Sequence, residues 1–105
     1  MNGAVHVASG SELKDDFSSL DGAEVLEKLL GMPVMSWRFK GESSDIRHIG
    51  PMAQDFMAVF GYGIDDRHIT STDADGVALA AIQGLNEKLK WALEVRLLVI
   101  DNTGQ

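Results

Sequence analysis

The alternation of apolar and polar positions sets the first expectations. Val25, Leu26, Leu29 and Leu30 recur at helical spacing and form one apolar face. Asp21 ahead of them is a good N-cap, Glu24 completes a capping box, and Leu20 and Val25 occupy the two positions of a hydrophobic staple. Gly31 comes next, where a left-handed residue commonly closes a helix. The pattern predicts a helix over 22–30. Over 34–40 the period changes to two: Met35, Trp37 and Phe39 alternate with Ser36, Arg38 and Lys40. This predicts a strand with those three side chains buried on one face. Residues 41–45 read as a polar turn and 47–50 as the partner strand of a hairpin. Pro51 suits the first turn of a helix, and Met52, Ala53, Phe56, Val59 and Phe60 share a face, so 52–60 is predicted helical, ended by Gly61 and Gly63.

Residues 65–75 are polar and rich in turn formers, with 69–72 a candidate short strand and Asp75 the candidate N-cap of the last helix. Beyond Gly76, the positions Ile82, Leu85, Leu89, Leu93, Leu97 and Ile100 are spaced 3, 4, 4, 4, 3. The mean of 3.6 is the period of a straight helix rather than of a strongly supercoiled heptad seam. A helix over about 77–97 would run roughly 30 Å, too long for its sequence neighbours to cover. Part of its stripe is therefore expected to meet other copies of the chain. At the other end, Val5 and Val7 alternate with His6 and Ala8, a weak strand signal. Leu13 and Phe17, four apart in a polar 9–20 segment, suit a short helix or turn with Ser9 at its start. The fold class predicted is α+β: mainly helical, with a small antiparallel β element and a long C-terminal helix that associates with its copies.

Charge narrows the function classes. A chain of 105 residues is one domain, and a net charge of −7 argues against a nucleic-acid surface or docking on anionic lipid, both of which need clustered Lys and Arg. No apolar run approaches the roughly 18 residues of a membrane span. Residues 1–8 lack the basic flank and apolar block of a signal peptide. With no cysteine, disulfides, thiol chemistry and thiolate metal sites are excluded. His6, His48 and His68 have no ligand-like spacing, so no metal is expected. Asp73-Ala74-Asp75-Gly76 fails as a calcium loop: aligned on the glycine, Ser71 takes the first position and Ile82 the place of the bidentate Glu. Gly61 and Gly63 lack the setting of a phosphate-binding loop. No cofactor is expected.

Three stretches together resemble one family. They are Ser9-Gly10-Ser11-Glu12-Leu13-Lys14; Ser36-Trp37-Arg38-Phe39-Lys40 running into Arg47-His48-Ile49-Gly50-Pro51-Met52-Ala53-Gln54-Asp55; and Asp73 to Leu85. In order and spacing, over roughly residues 9–92, they resemble the endosialidase-type intramolecular chaperone domains, self-cleaving C-terminal peptidases of phage tail spikes and tail fibres. The resemblance implies that the long C-terminal helix trimerises, giving a homotrimer that helps an upstream β-rich stalk of the same polypeptide to fold, then releases itself. It also implies a cut directly before a serine, with a lysine five residues later as general base. Carried over, the scissile bond is Ala8–Ser9, the nucleophile Ser9 and the base Lys14. Residues 1–8 are then the end of the upstream stalk and 9–105 the chaperone and peptidase domain. The implied setting is a phage tail precursor in the bacterial host cytoplasm or a bacterial surface protein. The family usually carries aspartate directly after the serine, where this chain has Gly10.

The chemistry sets its own conditions. A serine hydroxyl is a poor nucleophile until a base takes its proton, and lysine is a base only when neutral, which requires burial away from carboxylates. Glu12, Asp15 and Asp16 are near Lys14 in sequence, so the reading requires Lys14 to be buried apart from them. A spacing of five does not share a helix face, so Ser9 should lie just before the helix, with the chain bending to bring it to Lys14. The bland alternative makes Ser9 an N-cap and Lys14 a solvated side chain. Ser11 is a rival hydroxyl, three residues from Lys14. His48 and Gln54 are candidate supporting residues, although a lone histidine in such a place is more often a structural hydrogen-bonder than a catalyst, and Arg47 is a candidate partner of Asp55 or of a neighbouring subunit. Three functions are open: the trimeric self-cleaving chaperone, the same fold as a non-cleaving clamp, or an unrelated acidic helical adaptor.

Overall fold

The computed structural model describes residues 8–103; the weak strand signal at Val5 and Val7 lies outside them. The element order is a 3₁₀ turn Ser11–Leu13, α1 Gly22–Leu30, β1 Met35–Trp37, β2 His48–Gly50, α2 Ala53–Phe60 and α3 Ser71–Thr103. The fold is α+β and mainly helical, with one two-stranded antiparallel sheet and a long C-terminal helix.

Helix α1 has the predicted bounds. Asp21 Oδ1 accepts from Ala23 N at 3.0 Å, but Glu24 pairs with Lys28, so only the aspartate half of the capping box is used. Gly31 is right-handed, with φ −90°, against the expected left-handed closure. Instead, Gly31 N bonds to Lys28 O and Met32 N to Leu29 O, and the buried Met32 carries the chain across the core. Pro51 lies ahead of α2 rather than in its first turn, and Met52, at φ −77° and ψ 143°, is the extended cap. Gly61, at φ 71°, closes α2 in the left-handed conformation that glycine adopts without strain.

Helix α3 begins earlier than Asp75 and is 33 residues long, about 50 Å at 1.5 Å per residue. Thr70 Oγ1 accepts from Asp73 N at 3.2 Å and donates to Asp73 Oδ2 at 2.8 Å. This cap displaces the expected strand at 69–72 and puts Asp75 inside the helix.

The core is small: Val25 and Leu26 of α1, Met32, Phe56 of α2, and Val77, Ala80 and Ala81 of α3, with Leu29, Val59, Phe60 and Ile69 packed against it. The helices α1 and α3 cross closely because Gly22 and Gly84 face each other backbone to backbone. No helix among the described residues is long and apolar enough to cross a membrane.

The hairpin pairs Met35 with Gly50, Ser36 with Ile49 and Trp37 with His48. Trp37 and Phe39 do share a face, edge to face at 4.9 Å. The expected burial is not met: Trp37 is half-buried, while Met35 and Phe39 are exposed in the single chain. The reason is that β1 is only three residues long and two strands make one thin layer, so alternation selects a face without supplying anything to cover it.

Candidate functional site

The N-terminal arm, residues 9–20, bends as the five-residue spacing demands. Gly10 is extended, with φ −67° and ψ 150°. Leu13 N then bonds to Gly10 O and Lys14 N to Ser11 O. This 3₁₀ turn folds the chain back on itself, so that Lys14 Nζ donates to Ser9 Oγ at 2.7 Å. Both side chains are exposed. The expected burial of Lys14 is therefore not met: the turn lies at the surface, and nothing among the described residues buries it. The carboxylate of Glu12 folds over Gly10, into the space where a side chain at position 10 would begin.

The other candidates sit elsewhere. His48, in β2, donates from Nε2 to both carboxylate oxygens of Glu42 at 3.0 Å. Its ring also packs against Trp37, tilted by 31°, and edge-on against Phe39, with centroids 4.9 and 5.1 Å away. Gln54, in the first turn of α2, lines a groove of about 490 Å³ with Trp37, Phe39, Met52, Ala53, Arg67 and His68. Ser9 and Lys14 are not among the residues that line it. Arg47 donates from Nε to Ser36 Oγ at 3.2 Å rather than pairing with Asp55. The structure thus brings Ser9 to Lys14 and leaves His48 and Gln54 in the hairpin and groove. Among the described residues, no group of three or more His, Asp or Glu is placed to hold a metal ion.

With this geometry in place, comparison with known families is informative. A model of the family described as chaperone of endosialidase, also named a peptidase family, matches residues 9–63. The match takes in 55 of the 105 residues. The chain belongs to this family. No curated protein matches the chain.

The match to the chaperone of endosialidase begins at Ser9 itself and takes in the 3₁₀ turn, α1, the hairpin and α2. Helix α3, which carries the third stretch of the resemblance, lies beyond it. Within the matched part, one residue escaped the sequence reading. Glu42, in the polar turn, accepts from Phe39 N at 2.8 Å as well as from His48, while its own carbonyl accepts from Arg38 Nη1 at 2.9 Å. These bonds hold its carboxyl below the usual carboxylate range, the His48 hydrogen bond first and the Phe39 N–H second. No spacing rule marks such a residue, because its partners are set by how the turn closes. Its only sequence signal is an acid opposite a histidine in a short hairpin.

Proposed function

We propose that this chaperone-of-endosialidase domain trimerises, holds an upstream stalk in register while it folds, and releases itself by cutting the Ala8–Ser9 bond. On this reading residues 1–8 end the stalk and residues 9–105 form the released domain, as in a phage tail fibre or spike. The observation that carries the reading is the 2.7 Å contact between Lys14 Nζ and Ser9 Oγ, formed where the family match begins.

The neutral Lys14 amine takes the hydroxyl proton as Ser9 Oγ attacks the carbonyl carbon of Ala8. The C–N bond between Ala8 and Ser9 breaks, and the proton passes from Lys14 to the departing Ser9 amine. Water then hydrolyses the ester between Ala8 and Ser9 Oγ, giving the Ala8 carboxyl group and restoring the hydroxyl. Because substrate and nucleophile belong to one chain, positioning replaces a binding step. A neutral amine needs a drier setting than the single chain offers, and assembly supplies it. This orders the events: trimer first, cut second.

The test is a chain with a foldable stalk ahead of residue 1, followed by mass analysis over time. Ser9→Ala removes the attacking oxygen, and Lys14→Arg leaves a cation that accepts no proton. Both should stop release while the trimer persists, and Ser11→Ala should release normally. A cut at another bond, or full release by Ser9→Ala, overturns the mechanism. The exposure of Lys14 and the glycine at position 10 favour one alternative, the non-cleaving trimeric clamp. An uncut trimer would establish it, and Gly10→Asp would be the next change. The Glu12 carboxylate would have to swing away from Gly10 to admit it.

A further inference from the structure

We propose that the arm of one copy docks in the groove of a neighbouring copy, with Phe17 against the groove's apolar floor. This rests on the trimeric reading above and names what covers the exposed dyad.

Two unsatisfied surfaces match. On the arm, Leu13 and Phe17 are exposed, Phe17 by 73%, and the acidic Asp15 and Asp16 lie between them. Asp16 sits at φ 55°, a bend that a non-glycine residue adopts at some cost and that neighbouring structure normally holds in place. Every residue over 11–20 is exposed, so no buried packing among the described residues holds it. On the body, the groove of about 490 Å³ has Trp37, Phe39, Met52 and Ala53 in its lining, with Arg67 and His68 alongside. That volume is in the range that takes a ligand-sized apolar group. His68 is already engaged with Asp65, but the guanidinium of Arg67 has no hydrogen bond or ion pair among the described residues. A further sign is the buried Nε1 of Trp37, which has no acceptor among the described residues.

An aromatic flanked by acids thus faces an aromatic groove edged by an unpaired cation. Apolar burial supplies the attraction and the charges set orientation. The groove's occupant is a second copy because the arm of the folded chain does not reach its own groove: no arm residue lines it. Meanwhile the uncovered stripe of α3 draws copies together. Docking at Phe17 removes the turn three residues upstream from water, so the dyad becomes dry only when copies have assembled.

The absence of cysteine makes the test direct. Ser18→Cys, which leaves Phe17 in place, and Ala53→Cys are placed singly on chains of different mass, which are coexpressed, oxidised, sized by light scattering and run on a non-reducing gel. The expected result is a trimer containing a disulfide between unlike chains. A trimer without that disulfide overturns the docking alone and leaves the trimeric reading standing. A monomer overturns both. A double variant that cross-links only within one chain also overturns docking between copies. As a second measurement, Arg67→Glu should lower the cross-linking yield and slow release on the order of tenfold, since loss of even part of an apolar and charged contact is worth that much in occupancy. Adding Asp15→Arg should restore both, and failure to restore them overturns the charge pairing.

Discussion

Glu42 is the residue on which the hairpin turns. It satisfies the Phe39 N–H and fixes the His48 ring against Trp37 and Phe39. Its carboxyl is held below its ordinary value of 4.5, first by the His48 hydrogen bond and then by the Phe39 N–H. A carboxylate lowered in the folded state contributes stability that is fully present above the unfolded value and is lost as pH falls through the lower folded one. The clamp should therefore be intact at neutral pH and open only on acidification below about pH 4.5. Trp37 reports on it: with Trp91→Phe, the remaining indole fluorescence should change over that acidic range. Glu42→Gln should abolish that transition and show the altered signal already at neutral pH. An identical acid transition in Glu42→Gln would assign the change to another carboxylate.

Among the elements, the crossing of α1 and α3 depends on glycine against glycine. A Cβ on Gly84 would collide with the backbone of Gly22 and lie 2.9 Å from Ala23 N. Backbone cannot swing aside as a side chain can, so the helices would have to part. Gly84→Ala is expected to destabilise the fold by about 1–3 kcal/mol, although alanine is the better helix former by about 1 kcal/mol. Gly76, in the same helix, has nothing near its missing Cβ. There the same substitution should stabilise by up to about 1 kcal/mol. Urea midpoints of the two variants, moving in opposite directions, would check both.

For the whole molecule the governing fact is a mismatch of lengths. Helix α1 has 9 residues and α3 has 33, so α1 covers only the part of α3 around Val77, Ala80, Ala81 and Gly84, out to Lys88. Ile82, Leu85, Leu89, Leu93 and Leu97 remain exposed on another face, Ile82 by 62%. The molecule extends 64 × 41 × 32 Å, and among the described residues no second layer lies along that stripe. A homotrimer joined along it is the expected assembly. Ile82→Asp or Leu85→Asp should dissociate it, since a charge left unpaired in an apolar seam costs several kcal/mol. Light scattering at micromolar concentration would read the change, and circular dichroism would show whether α1 and the core persist in the separated chains.

What the sequence determined by itself is local. The apolar spacing and the Asp21 cap set α1 at its observed bounds, and the change of period at Met35 marked the hairpin. Gly61 ended α2, and the arm, hairpin and α2 residues carried the family. Each of these depends on neighbours a few positions away, and periodicity and capping are properties of such neighbours. Tertiary structure decided the rest. Asp75 was the cap the sequence offered, but the folded chain starts the helix at Thr70, whose hydroxyl is paired with Asp73. Alternation put Trp37 and Phe39 on one face but did not bury them, because burial requires a second layer. Glu42, Gly84 and the guanidinium of Arg67 at the groove's edge owe their roles to partners or spaces that only the folded chain creates. The same holds for Ser9 and Lys14: five residues apart they are no motif of a regular helix, and the 3₁₀ turn between them is what brings oxygen and nitrogen to 2.7 Å.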